Sequence, residues 1–342
     1  MKNKWWRISL FAILGLLILF SVVGYSQIFG SNTAFADSSK LLYIPSHFSH
    51  QQLKDRLSEQ GIIQSSKSFD LVAKLKKFDQ PKPGRYRIKA GMSNNEMINL
   101  LRSGNQEAIT IRFDDLKNIY QLAGRLASTT ELDSTTYIHY FTSDSVLTAY
   151  NCDLYTLPAL FIGDSYDFFW TVKPNDVLQR MQTVRKTFWT ADKKAKATAM
   201  GLNENEVATL ASIVKGETAN MDEAPRIAGL YFNRLKMGML LQSDPTVVFA
   251  NNLFGINRVL HSDLQTNSPY NTYVNKGLPP GPISFADAKY LDAVLNYETH
   301  DYIYMCAQAG GTGKHNFSKT YQQHLQYAAE YQKYLNDRGT RR

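Results

Sequence analysis

Hydrophobic and polar positions divide the chain into an apolar N-terminal segment and two patterned regions. Lys2, Lys4 and Arg7 precede an uncharged stretch from Ile8 to Ala36, whose apolar core runs from Ile8 to Tyr25. That core approaches the ~20 residues that span a bilayer, and the basic flank is expected to stay in the cytoplasm. Ala34-Phe35-Ala36 offers a competing reading as a signal-peptidase site, although it lies well past the apolar core. Asp37 to Lys40 is expected to be a short polar linker. Beyond it, Leu41–Ile44 predicts a strand, His50–Gln60 a helix ended by Gly61, and Ser68–Lys77 a second helix. Arg85–Ile88 alternates as a strand. Ser93 and Glu96 form a capping box that opens a further helix closed by Gly104.

The second region starts with the alternating run Ile109–Phe113. Helices are expected at 118–128, 134–150 and 174–189, and a polar, Lys-rich helix or linker at 191–200. Asp222 is expected to cap a helix with Pro225 in its first turn, running to Lys236 and stopped by Gly238. Met239 to Val247 reads as a strand entering a turn. Loops at 268–273 and 277–283 precede a helix at 284–296. Tyr302–Met305 and His315–Phe317 read as two strands around a glycine turn, and a helix at 320–336 closes the chain. The expected fold class is α+β: an N-terminal transmembrane helix, a small α+β subdomain and a larger mixed α+β domain. The domain boundaries are 1–36, 37–107 and 108–342.

One carboxylate breaks the pattern. Val207, Leu210, Ala211 and Val214 form the apolar stripe of a helix, and Glu217 continues that stripe at its last turn. Burial and the negative helix end both disfavour its charged form, which suits a general acid working near neutral pH. The structural alternative is a helix-end Glu that frays into solvent or pairs with Lys215 or Arg226.

Composition narrows the function classes. The chain has 342 residues and a net charge of +8, dispersed rather than gathered into a stripe, which argues against nucleic-acid binding. Cys152 and Cys306 lie in no metal-ligand spacing; one disulfide or two free thiols both remain open. The histidines form no HExxH pair, and Gly310 to Lys314 lacks phosphate-loop spacing. A lone His315 at a strand end reads more readily as structural. Gly277–Pro282 is a stiff loop, and Tyr270-Asn271-Thr272-Tyr273 gathers the aromatic and polar groups that suit a sugar, or an ordinary turn. From the residues alone the chain is an exported, anchored protein with carbohydrate chemistry as one option.

Several ordered segments carry a resemblance: Leu210–Thr218, Asn233–Met239, Leu241–Val247, Tyr270–Tyr273, Gly277–Ile283 and His315–Phe317. Together they resemble the endolytic murein transglycosylase family, also called YceG-like or MltG-like. Gly84–Ile88 resembles part of that family's LysM-like subdomain.

The resemblance implies a single-pass protein of the inner, cytoplasmic membrane with its catalytic domain outside. It implies cleavage of the β-1,4 bond between N-acetylmuramic acid and N-acetylglucosamine in nascent peptidoglycan strands, leaving 1,6-anhydro ends. Glu217 falls on the catalytic acid/base, and no cofactor or metal is expected. Gln242, Asp244, Tyr270, Asn271, Thr272 and Tyr273 are the expected substrate-binding residues. Glycan strands, membrane lipid and the cell-wall synthesis machinery are the expected partners. A muramidase-type hydrolase and a non-enzymatic glycan-binding scaffold are the rival readings. Relatives commonly place a Glu where Lys215 stands; a lysine there tends to lower the Glu217 pKa, and its position off the stripe allows it to point to solvent, where that effect is small, so the size of the effect stays open.

Overall fold

The computed structural model describes residues 2–256 and 259–337, with side chains from Trp5 onward, so the flanking side chains of Lys2 and Lys4 lie outside the described residues. The chain divides into two compact units. The first comprises Met1–Thr110 with Thr129–Glu131 and Asp167–Val172, and the second holds the rest.

Helix α1 (Lys2–Phe29) opens the first unit. Its stretch Trp5–Phe29 contains an 18-residue window of mean hydropathy 2.5 and is long and apolar enough to cross a membrane. Behind it, β1 (Ser39–Ile44), α2 (His50–Glu59), α3 (Ser66–Leu75), β2 (Gly84–Lys89) and α4 (Asn94–Ser103) build a small module. Strands β1 and β2 pair antiparallel from Ser39↔Lys89 to Ile44↔Gly84. Leu42, Ile44, Leu53, Phe69, Tyr86 and Ile98 fill its core. The expected linker at 37–40 is largely absorbed, because β1 already begins at Ser39.

The residues after α1 are also tied down. Asn32 is buried; its Nδ2 donates to Ser65 O and Asn94 Oδ1, and its Oδ1 accepts the Ser65 N–H. The Ala34 N–H donates to Ile62 O at 3.0 Å. Asn94 in turn donates to Gln27 O at the end of α1. A saturated buried amide network of this kind specifies one arrangement.

Strand β3 (Ile109–Arg112) leads into the second unit. That unit contains α5 (Ile119–Thr129), α6 (Ser134–Phe141), α7 (Asp144–Ala149) and a 3₁₀ turn at Leu157–Leu160. Strand β4 (Ser165–Phe168), which pairs with β3, is followed by α8 (Pro174–Phe188) and α9 (Ala191–Ala199). Helices α10 (Glu204–Glu217), α11 (Ala224–Lys236), α12 (Asp244–Ala250) and α13 (Ala288–Leu295) form its centre. Hairpin β5 (Tyr304–Ala307) and β6 (His315–Ser318) and helix α14 (Tyr321–Asp337) complete it.

Three expectations change. The helix expected over 134–150 breaks into α6 and α7 at Thr142–Ser143, where the Thr142 hydroxyl back-bonds to Ile138 O. The cap of α11 is Glu223 rather than Asp222. The strand expected at 239–247 is replaced by an irregular segment and α12. Pro245 in its first turn presets a helical φ and gives up an N–H that no helical carbonyl would accept.

Helix α10 is the central element. Asn203 and Glu206 cap it reciprocally, and every residue from Val207 to Val214 is buried. Helices α11, α12 and α13 all pack against it. The Ser212 hydroxyl accepts the Ile283 N–H at 3.0 Å, and Tyr290 Oη donates to Thr218 O at 2.9 Å. These bonds fix the turn that carries Glu217.

Candidate active site

Glu217 ends α10 inside the fold instead of fraying from it. Tyr231 Oη, from α11, donates to Glu217 Oε1 at 2.5 Å. Ser243 Oγ, immediately before α12, donates to the same oxygen at 2.5 Å. Oε2 carries no hydrogen bond among the described residues. One oxygen is therefore held as an acceptor, and the other is available for proton exchange.

Burial is the main influence on this carboxyl and raises its pKa above the ordinary 4.5. The Ser243 and Tyr231 hydroxyls pull it back down. The charge of Asp244 pushes it up again, and His315 pulls it down. Burial next to Glu217 in turn pushes the Tyr231 phenol well above its usual value, which keeps it a donor.

Two cavities meet at Glu217, and both are also lined by Asp244. The first, of about 400 Å³, is walled by Lys117, Gly216, Pro245, Val248, Phe249 and Ile283, among others. The second, of about 250 Å³, is lined by Arg234, Gln242, Tyr273, Cys306 and His315, among others. Gly216 makes the first wall close: a Cβ there would stand 2.6 Å from Pro245 Cβ.

The pairings offered as an alternative for Glu217 are taken by other groups. Arg226 binds Glu298 at 3.0 Å. Lys215, whose position off the stripe allowed a solvent-facing side chain, is drawn inward. Its Nζ donates to Asp287 Oδ1 at 2.7 Å, to Phe285 O at 2.9 Å and to Asp114 O. Three acceptors match the three protons of the ammonium, so its charge is neutralised away from Glu217.

The expected sugar-binding residues separate into two groups. Gln242, Asp244 and Tyr273 do line the cavities, with Tyr273 Oη donating to Asp244 Oδ1 at 2.6 Å. Gln242 is set there by a left-handed backbone, φ 51°, and its N–H donates to Thr272 O.

Asn271 and Thr272 instead face inward and are fully enclosed. Asn271 Nδ2 donates to Leu264 O and Thr266 O, while Thr272 Oγ1 accepts the Ser243 N–H. They shape the loop and leave no group free for a sugar. Tyr270 packs its ring on Phe249, 4.6 Å between centroids, and lines neither cavity.

Sequence reasoning missed Tyr231, Ser243, Arg234 and Lys117, and it favoured a structural His315. His315 lines the second cavity: its N–H donates to Glu223 Oε1, and its Nδ1 lies 3.3 Å from Glu223 Oε2. Ser243 was marked only by its place between Gln242 and Asp244. Tyr231 carried no signal beyond its position on α11.

Cys152 and Cys306 are both free and part-buried. No group of three or more His, Cys, Asp or Glu residues is placed to hold a metal ion among the described residues.

Fold and site together define a mixed α+β protein with one half-enclosed carboxylate between two cavities. The chain belongs to the YceG-like family, whose profile matches residues 42–330. It is 29% identical over 304 residues to an endolytic murein transglycosylase of Bacillus subtilis, covering 84% of this chain and 83% of that protein. It is 25% identical to an endolytic murein transglycosylase of Streptococcus pneumoniae, covering 95% of this chain and spanning 64% of that protein's length. Among solved structures, a putative YceG-like protein of Listeria monocytogenes shares the fold with a TM-score of 0.58 at 24% identity, over 85% of this chain and 99% of that one.

Proposed function

We propose that this protein is a membrane-anchored endolytic lytic transglycosylase. It cleaves the β-1,4 bond between N-acetylmuramic acid and N-acetylglucosamine in nascent peptidoglycan strands, leaving 1,6-anhydro-muramoyl ends. The observation that carries this reading is Glu217, a carboxyl with a raised pKa between two cavities, its Oε1 fixed by Tyr231 and Ser243. Relatives named endolytic murein transglycosylases support it.

In this mechanism protonated Glu217 gives its proton, from Oε2, to the glycosidic oxygen leaving with N-acetylglucosamine. The C1–O4 bond breaks as positive charge develops on the muramoyl ring. The resulting carboxylate then takes the proton of the muramoyl C6 hydroxyl, whose oxygen attacks C1 and closes the anhydro ring. One carboxyl acts as acid and then as base, because the nucleophile belongs to the substrate. Tyr231 and Ser243 stabilise Oε1 through both steps, and Asp244, lining both cavities, opposes the positive charge at the ring.

Helix α1 supports the anchor. Its basic flank favours a cytoplasmic N-terminus with the remainder outside. The β1–α2–α3–β2 module is the reading's LysM-like, glycan-binding part, and cell-wall synthesis proteins are its expected partners.

A second reading rests on Asp244. A muramidase uses a second carboxylate to activate water, and Asp244 is near enough to influence Glu217. Product analysis separates the two. Un-crosslinked glycan digested in ¹⁸O water gives anhydro ends without label under the first reading and labelled reducing ends under the second. Glu217→Gln is expected to abolish cleavage; undiminished cleavage by that variant would overturn both, and a purely scaffolding protein would cleave nothing in either form.

A further inference from the structure

Lys117 is a cation left over by the chemistry described so far. It lines the first cavity together with Glu217. The neighbouring charges are committed elsewhere: Lys215 to Asp287, Asp115 to Arg125 at 2.8 Å, and Asp114 to Arg112 at 2.9 Å. The Lys117 ammonium has no hydrogen bond or ion pair among the described residues. Burial, and then the nearby charge of Lys215, depress its pKa against a smaller opposing pull from Asp115. A half-buried ammonium is costly unless an anion completes it, and the carboxylates that line the same cavity, Glu217 and Asp244, form no ion pair with it among the described residues.

The two cavities differ in a way that orients a strand. The second offers Gln242, Tyr273 and His315, the amide, phenol and imidazole that suit ring hydroxyls and an acetamido group, while its Arg234 is taken up by the carbonyls of Leu240, Leu241 and Ile303. The first, which shares Glu217 and Asp244 with it, adds Pro245, Val248, Phe249 and Ile283 and, among the described residues, the Lys117 ammonium. Of the two sugars at the scissile bond, only the muramoyl unit has an apolar and anionic substituent. Its lactyl ether carries a methyl group and a carboxyl, which is free or extended by a stem peptide with carboxylates of its own.

Resting on the transglycosylase reading, we infer that the first cavity is the muramoyl side of the site and that Lys117 binds a carboxylate of the lactyl or stem-peptide substituent. N-acetylglucosamine leaves through the second cavity. Lys117 is then a specificity residue that fixes strand direction across Glu217.

The test measures binding on the full-length Glu217→Gln protein, which leaves strands intact. Three un-crosslinked glycans of equal length serve as probes: one with stem peptides, one stripped to the free lactyl acid, and one stripped and converted to the lactyl methylamide. Adding Lys117→Met is expected to weaken binding of the anionic probes by roughly tenfold, the scale of one charge-assisted hydrogen bond, and to leave the methylamide unaffected. Lys117→Arg is expected to retain most of the affinity. A loss confined to the stem-bearing probe assigns the carboxylate to the peptide; a loss on the stripped acid assigns it to the lactyl group. Equal loss on all three probes, or no loss on any, overturns the inference. Failure of the transglycosylase reading is visible separately, as intact strands after incubation with the wild-type protein.

Discussion

Ser243 Oγ donates to Glu217 Oε1 at 2.5 Å, linking the residue before α12 to the last turn of α10. This bond favours the charged carboxylate, so it opposes the burial that raises the Glu217 pKa. Ser243→Ala removes the favour from the charged form and leaves the neutral form almost untouched. The pKa of Glu217 is expected to rise further, moving the high-pH limb of the kcat profile upward by about one unit. The rate at the optimum is expected to fall about tenfold as the carboxyl loses its fixed orientation. A pH–rate profile on un-crosslinked glycan checks both, and an unmoved limb would contradict this role for Ser243. Tyr231→Phe is expected to act in the same direction.

The raised pKa of Glu217 also makes stability depend on pH. Its folded-state value lies above the ordinary 4.5, so the folded protein binds the proton more tightly than the unfolded chain. This contribution to stability is complete below 4.5 and declines as pH rises through the folded pKa. Glu217→Gln cannot lose a proton there. Its advantage over wild type in Tm is therefore expected to grow with pH, measured by thermal denaturation from about pH 4 to about pH 8. A constant difference would refute the buried-acid account.

Lys215 and Asp287 form an ion pair whose side chains are only 15% and 17% exposed. Lys215→Met leaves the Asp287 carboxylate only the more distant and exposed Lys289, 3.8 Å away, and strands two carbonyl oxygens, at an expected cost of about 3 kcal/mol in urea unfolding. Adding Asp287→Asn removes the uncompensated charge and is expected to restore part of the loss. If the double variant is no more stable than the single one, the pair is not the source of the cost.

Gly216 touches Pro245 across the first cavity. Gly216→Ala forces the rigid proline ring, and with it Asp244, away from α10. The expected result is a drop in kcat of at least about tenfold, because sub-ångström displacement at a reacting centre is expensive, while Tm falls by only a few degrees. Kinetics and melting of one preparation decide it. A large fall in Tm with an unchanged kcat would place the strain elsewhere.

Asn32 stitches the residues after α1 into the first module. Asn32→Ala leaves Asn94 and the backbone of Ser65 short of partners and is expected to destabilise that module by about 2 kcal/mol. Hydrogen exchange resolved over 31–103 provides the measurement, with loss of protection at the Ala34 and Ser65 amides as the expected sign. Intact mass spectrometry of the membrane-extracted protein is expected to show residues 1–36 retained.

The sequence by itself determined the elements whose signals are local. The apolar run of α1, the capping box of α4 and the Gly310–Lys314 hairpin turn each depend on neighbouring residues alone, so they were legible. The stripe position of Glu217 was legible for the same reason, since helical periodicity alone turns it toward the core. The start of α12 was misread because apolar residues of a short segment fit a strand as well as a helix, and Pro245 decided between them. Tertiary structure alone decided which groups meet Glu217: Tyr231, the adjacent Ser243 and Asp244, and His315 come from three separate segments, and their convergence depends on how α11, α12 and the β5–β6 hairpin are placed around the end of α10. It also sent Lys215 inward to acceptors at Asp114, Phe285 and Asp287, and enclosed Asn271 and Thr272. Side-chain direction at the end of a helix or in a loop depends on distant acceptors, and no local spacing encodes those.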